Sequence, residues 1–141
     1  GVVGIACPTA SPLLGFVSLV LPAIAMGNRV VAIPSQTHPL AATDLYQVID
    51  TSDMPGGVIN IVTGERDGLA KTLAEHDDVD ALWYFGTASG AAMAEAASAG
   101  NLKQTWTEDG AARDWTAAEG QGRQFLTRAT QVKSIWIPYG E

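Results

Sequence analysis

Cysteine and positive charge are what this chain of 141 residues has least of. A single thiol, Cys7, excludes an internal disulfide, and one free cysteine fits a reducing compartment, so a cytoplasmic location is expected. Basic side chains number 8 against 15 acidic ones, for a formal charge of -7. That balance would not neutralise the phosphates of a duplex, so nucleic acid is not expected as a partner. The two histidines, His38 and His76, are far apart in sequence and poor in companions, so no metal is expected. Long apolar runs are also lacking. The stretch from Leu13 to Met26 is broken by Pro22 and falls short of the roughly 20 residues that a membrane span needs, which leaves a buried helix and no membrane partner. There is no signal-peptide pattern, no internal repeat and no low-complexity tract. The chain opens at Gly1, without Met and inside what reads as a buried strand, and is expected to be a piece of a longer protein.

What is present is enough for one domain with a real core, at 47% hydrophobic residues. Apolar strand-like runs alternate with helix-like segments, the pattern of an α/β fold with a Rossmann-like parallel sheet and helices on both faces. Val2 to Ala6 is the first strand. Ser11 is placed to cap a helix that has Pro12 at its first position and runs to Met26, where Gly27 and Asn28 stop it. Arg29 to Ile33 is the second strand, and Pro39 to about Ile49 is a helix with Leu45, Val48 and Ile49 on one stripe. Val58 to Val62 is the third strand. Glu65 and Asp67 favour the positive end of a helix that carries Leu69 and Leu73 four apart and leads into the acidic cluster Glu75 to Asp80. Ala81 to Phe85, an alanine-rich helix from Thr87 to Ala99, and a fifth strand from Leu102 to Thr107 complete a first region, residues 1–109.

Beyond Asp109 the composition shifts. Residues 110–122 are rich in Gly, Ala and charge and read as a linker. In residues 123–141 a period-two strand stands out: Val132, Ser134 and Trp136 alternate with Lys133, Ile135 and Ile137, and both faces are largely apolar. A lone strand of that kind needs a sheet to join, so it reads as a C-terminal oligomerisation-type strand. Of the tryptophans, Trp83 and Trp106 sit in strands and read as core. Trp136 is the one expected at an interface, where tryptophan is enriched.

Several segments, in order, resemble the aldehyde dehydrogenases. Residues Gly1 to Leu14 are similar to that family's G-V-V-G-x-x-x-P-W-N-F-P-L-L, and Pro22 to Leu40 to P-A-L-A-x-G-N-x-V-V-x-K-P-[AS]-E-x-x-P-L. Pro55 to Gly64 resembles P-x-G-V-x-N-x-V-x-G, and Trp83-Tyr84-Phe85-Gly86-Thr87 takes the place of F-T-G-S. Asn101 to Ala111 resembles N-L-K-x-x-x-x-E-L-G-G, and Gln131 to Glu141 the terminal segment, above all that of the two-domain family-sixteen members. Those proteins carry a second, degenerate unit behind an active one. The resemblance implies a Rossmann-like unit, NAD as cofactor of the parent protein, and a terminal strand that pairs with a neighbouring catalytic domain by addition to a sheet edge.

On the same resemblance the site positions are largely lost. The asparagine that helps to hold the oxyanion falls on Ala10, and removing one such donor typically costs about a hundredfold to a thousandfold in rate. The lysine and glutamate that hold the adenosine ribose fall on Ile33 and Gln36, on either side of Ser35. The G-S-x-x-x-G of the pyrophosphate turn reads Gly86-Thr87-Ala88-Ser89-Gly90-Ala91, with its second glycine displaced by one position. Glu108 stands on the general-base position, no cysteine follows it, and it reads as a solvated strand-end carboxylate. Cys7 reads as a buried small hydrophobe.

The expectation is a non-catalytic assembly domain of an NAD-dependent aldehyde dehydrogenase. It has no catalytic residue of its own, with Glu108 and Ala10 vestigial. It binds no cofactor, with Ile33, Ser35, Gln36, Gly86 and Thr87 as vestigial positions. Its interface is Val132, Lys133, Ile135, Trp136 and Ile137, its partner is an active dehydrogenase domain of the same or a neighbouring chain, and the protein is a homo-oligomer. Two rivals remain: a piece of a working dehydrogenase that oxidises an aldehyde to an acid with NAD as hydride acceptor, against which Ala10, Ile33 and Gln36 argue, and a vestigial nucleotide-sensing module.

Overall fold

The β-branched and aromatic runs become five parallel strands of one sheet. The computed structural model describes residues 1–109 and 113–140, without the side chain of Asp109. In chain order the elements are β1 (Val2–Ala6), α1 (Pro12–Ala25), β2 (Arg29–Ile33), α2 (Leu40–Asp50), β3 (Ile59–Ile61), α3 (Arg66–Glu75), β4 (Ala81–Gly86), α4 (Ala88–Ala97), β5 (Gln104–Asp109) and α5 (Arg123–Arg128). The strand order is β3-β2-β1-β4-β5, with Val3 opposite Val30 on one side and opposite Ala81 on the other. The order reverses between β1 and β4. In open parallel sheets that reversal opens a crevice beyond the carboxyl ends of the two strands.

Strand periodicity divides the core into two layers. Ile5, Val30, Ala32, Trp83, Phe85 and Trp106 face the layer that contains Phe16, Leu19, Val20 and Ala23 of α1, Ala42 of α2 and Phe125 of α5. Ala6, Ile33, Leu82 and Tyr84 point the other way, onto Ala70 and Ala74 of α3 and Ala91 and Ala94 of α4. The small residues of α3 and α4 let those helices lie close to the sheet, while the first layer is filled by rings. Trp83 and Trp106 meet edge-to-face at 5.1 Å, as do Phe85 and Trp106, and Trp106 meets Phe125 at 5.3 Å. Each such pair adds about 0.5–1.5 kcal/mol beyond its buried area.

Some local expectations are corrected. Ser11 stands at the N-cap of α1, but its backbone is left-handed (φ 51°) and its side chain makes no capping bond; its carbonyl instead accepts from Gly15 N at 2.7 Å. Val48 is 63% exposed, because α2 turns only Ala42, Leu45 and Ile49 toward the core. Glu65 precedes α3 as its cap, accepting from Asp67 N at 2.9 Å and Gly68 N at 2.6 Å. β5 begins two residues later than expected because Lys103 turns inward. Its amine donates to the carbonyls of Leu73 at 3.2 Å and His76 at 2.6 Å, closing the end of α3, and burial pulls its pKa below the usual lysine value against the pull of Asp77 and Asp80.

Of the stretch expected as a linker, residues 110–112, which include Gly110 and Ala111 of the resembled motif, lie outside the described residues. The remainder is packed. Trp115 is 5% exposed, and Gly120 lies so close beneath it that an added Cβ would stand 2.3 Å from the Trp115 carbonyl oxygen. The short helix α5 then buries Phe125 completely. Asn28, in the α1–β2 turn, donates to the carbonyl of Ala129 at 2.8 Å and fastens the end of α5. From there residues 131–140 run as neither helix nor strand and pair with none of the described strands. Val132, Ile135, Trp136 and Ile137 are each more than two-thirds exposed, at 92, 81, 84 and 68%. A strand exists only where a neighbour completes its ladder, and this sheet offers no strand to those residues.

Candidate functional site

The crevice at the reversal between β1 and β4 is the site that the fold itself singles out. The loop Cys7 to Ser11 leaves β1 on one side, Gly86 and Thr87 stand at the end of β4 on the other, and Glu108 is the last residue but one of β5 beside them. Thr9, Ala10, Arg66, Thr87, Glu108 and Arg113 contribute to the walls of a cleft of about 250 Å³. Ala10, Gly86, Thr87 and Glu108 are therefore brought together. Ile33 is not among them: it is 1% exposed, in the layer shared with α3 and α4. Ser35 is fully buried, and its hydroxyl lies 3.3 Å from the Thr9 carbonyl and 3.3 Å from the Thr37 hydroxyl. Gln36 is turned outward, and its amide oxygen accepts from the Arg66 backbone N–H at 3.1 Å.

Glu108 is not a freely solvated carboxylate. Its side chain is 17% exposed and is ion-paired with Arg113, itself 12% exposed. The Arg113 guanidinium also donates to the Glu119 carbonyl and lies 5.6–6.0 Å from the ring centres of Phe85, Trp106, Trp115 and Phe125. A base must have a free lone pair within reach of the proton it removes; here one of the two carboxylate oxygens, Oε1, is taken by the arginine. At Ala10 the cleft presents a methyl group where an oxyanion would need a donor.

On the far side of the cleft a second arginine organises the turn after β4. Arg66 Nε donates to Asp67 Oδ1 at 3.3 Å, and an Arg66 terminal nitrogen lies 3.3 Å from the Thr9 hydroxyl. The Tyr84 hydroxyl donates to Asp67 at 2.7 Å and accepts from the Thr87 backbone N–H at 3.3 Å. Thr87 caps α4 through its own hydroxyl, which accepts from Gly90 N at 3.1 Å. A Cβ added at Gly90 would stand 1.8 Å from the Tyr84 hydroxyl oxygen. The displaced glycine thus makes room for this chain's own tyrosine. A dinucleotide needs donors for its ribose and open backbone N–H groups for its pyrophosphate. Outside this cleft, the resembled ribose positions are a buried Ile33, whose side chain has no polar atom, and Gln36, whose amide oxygen is already bonded to the Arg66 backbone N–H.

Cys7 lies beneath the cleft floor, fully buried in the aromatic layer. Burial raises its thiol pKa far above the usual value, which keeps it protonated and unreactive. Among the described residues no group of three or more His, Cys, Asp and Glu side chains could hold a metal ion, and no helix is long and apolar enough to cross a membrane. Sequence reasoning missed Arg113, Arg66 and Tyr84. The shifted glycine is the one sequence signal that could have found the last of these, and its meaning needed the structure.

Residues 1–121 match the aldehyde dehydrogenase family. The NADP/NAD-dependent aldehyde dehydrogenase PuuC of Escherichia coli (strain K12) is 35% identical over 111 residues, 78% of this chain and 22% of that protein. The 2-hydroxymuconic semialdehyde dehydrogenase of Pseudomonas putida is 42% identical over 102 residues, 71% of this chain and 21% of that protein. Among solved structures, the aldehyde dehydrogenase KauB from Pseudomonas aeruginosa superposes with a TM-score of 0.73 at 35% identity, over 78% of this chain and 22% of that one. The C291A mutant of aldehyde dehydrogenase C from Pseudomonas syringae, complexed with NAD+ and octanal, superposes at 0.75 with 33% identity, over 78% of this chain and 23% of that one. The chain spans about a fifth of the length of these relatives. The parallel sheet, the cleft at its reversal and the ordered motifs agree with that match, and the chain belongs to the aldehyde dehydrogenase family.

Proposed function

We propose that this chain is a non-catalytic assembly unit of an NAD-dependent aldehyde dehydrogenase, of the kind found as the degenerate second unit of family-sixteen members. The observation that carries the reading is the ion pair of Glu108 with Arg113 inside an aromatic box. It gives the family's general-base carboxylate a structural job, anchoring the segment that leads to the C-terminal tail. Ala10 supports the reading by supplying no oxyanion donor. In this proposal the parent's NAD accepts hydride in an active unit outside this chain, and the unit described here binds no cofactor.

The tail would then be the means of assembly. Val132, Ile135, Trp136 and Ile137 are exposed apolar side chains along the tail, with Lys133 between them, and their alternating sequence pattern suits addition to the edge of another sheet. The partner is an active dehydrogenase domain of the same or a neighbouring chain in a cytoplasmic homo-oligomer. The identity to relatives that are NADP/NAD-dependent enzymes favours a second reading, that the chain is part of a working dehydrogenase.

Two substitutions in the full-length protein separate the readings. Ile135→Pro removes a ladder donor from the tail and is expected to dissociate the assembly, read by size exclusion with light scattering, with activity falling only in step with dissociation. Glu108→Gln is expected to leave kcat within about twofold, whereas loss of a general base would lower it by about a hundredfold to ten-thousandfold. A fall of that size with the assembly intact would establish the second reading.

A further inference from the structure

We propose that the Tyr84 hydroxyl, held by Asp67, occupies the phosphate-recognition corner of this fold from within and so closes the turn after β4 to dinucleotides. The inference rests on the reading that this unit binds no cofactor, and it names the groups responsible. In an open parallel sheet a diphosphate is recognised where a strand passes into a helix beside the strand-order reversal, by backbone N–H groups left open at the start of that helix. Two helix starts flank the reversal here. At α1, Pro12 has no N–H to offer, and the Gly15 N–H makes the ordinary helical bond to the Ser11 carbonyl at 2.7 Å. At α4, the Thr87 N–H is given to the Tyr84 hydroxyl at 3.3 Å, and the Gly90 N–H to the Thr87 hydroxyl at 3.1 Å.

The tyrosine oxygen stands where a ligand oxygen would accept. It is fixed there by its own donation to Asp67 Oδ1 at 2.7 Å, and Asp67 is in turn bonded to Arg66. The Arg66 guanidinium lies 5.4 Å from the centre of the Tyr84 ring. The arginine's charge is thereby spent on Asp67 and the ring instead of on a phosphate. The space for this arrangement comes from the glycine at position 90, where a Cβ would lie 2.3 Å from Tyr84 Cζ. Tyr84 itself is completely buried, so the plug belongs to the core and does not swing out as a surface side chain would. The same network joins the start of α3 to the start of α4.

The experiment is amide hydrogen exchange on the full-length protein and on its Tyr84→Phe variant, each alone, with NAD and with inorganic pyrophosphate. Phenylalanine is the residue of the resembled F-T-G-S motif, so this variant keeps the ring and loses only the oxygen. The Thr87 amide is expected to exchange about fivefold faster in Tyr84→Phe, the effect of losing one net hydrogen bond, while residues 81–85 are unchanged. Pyrophosphate should slow that amide in the variant and not in the wild type. Unchanged exchange at Thr87 in the variant, or equal protection by pyrophosphate in both proteins, would overturn the proposal. NAD protection of other segments of this unit, with Thr87 behaving as described, would overturn the cofactor-free reading and leave the assignment of Tyr84 standing.

Discussion

The Glu108 carboxylate and the Arg113 guanidinium are paired across the end of β5, and four aromatic rings surround the arginine. A half-buried pair of this kind gains little over a well-packed apolar replacement, yet it leaves a costly orphan when one partner is removed. Arg113→Met should therefore destabilise the chain by about 2–4 kcal/mol by stranding the Glu108 carboxylate, and Glu108→Gln by less, because the amide oxygen still accepts from the arginine, whose charge the surrounding rings also stabilise. The double variant should cost less than the sum of the two, with a coupling of about 1–2 kcal/mol. Urea unfolding of the four proteins measures this, and additive costs would show that the contact is incidental.

Gly90 and Tyr84 form a second obligatory pair. Gly90→Ala places a methyl group inside the volume of the tyrosine and should cost about 1–3 kcal/mol or more, as overpacking does. Gly100, where an added Cβ meets nothing within 4 Å, serves as the control: its alanine variant should stay within about 0.5 kcal/mol of the wild type. Thermal unfolding of both variants checks the contrast.

Cys7 gives the chain a defined alkaline weakness. Its folded-state pKa is raised by burial, while in the unfolded chain a thiol ionises near about 8.5. Stability is thus fully present below about pH 8.5 and falls as pH rises past it, by up to about 1.4 kcal/mol per pH unit. Cys7→Ala should lower the baseline and abolish that slope between about pH 8.5 and 9.5. A thiol reagent should label the native protein only after denaturant is added, and rapid labelling of the folded chain would contradict the assignment.

Lys103 closes the end of α3 from a different element. Lys103→Met leaves the carbonyls of Leu73 and His76 without their donor, and should cost about 1–3 kcal/mol. Exchange of the amides in the last turn of α3 should rise with it, and unchanged exchange there would place the lysine's role elsewhere.

How much of this was legible in the sequence depended on how local the cause was. Val2–Ala6, Arg29–Ile33 and Ala81–Gly86 are apolar, largely β-branched or aromatic runs between turn residues, and they became strands as the pattern implies. The order of motifs revealed the family. Val48 was misplaced because a helical stripe read from spacing alone does not say which side of it meets the sheet. The short helix α5 carried too few turns for a periodic signal, and Arg113 lay in a stretch whose composition reads as a loop. The functional contacts were the least visible. Glu108 with Arg113, and Tyr84 with Asp67 and Thr87, depend on which strand ends the reversal in strand order brings together. Ile33 and Ala10 could be read as lost donors from their chemistry alone, whereas Gly90 gained its meaning only once Tyr84 was seen beneath α4.

The distribution of the tryptophans makes the chain its own optical probe. Trp83, Trp106 and Trp115 lie in one dry aromatic layer, and Trp136 stands 84% exposed in the tail. Emission from the first three reports the folded layer, while Trp136 should emit at longer wavelength and be open to quenching by iodide. If the tail docks on a partner sheet, that one emitter shifts to the blue and escapes the quencher while the others hold still. Assembly could then be followed in real time from the ultraviolet fluorescence of the unlabelled protein.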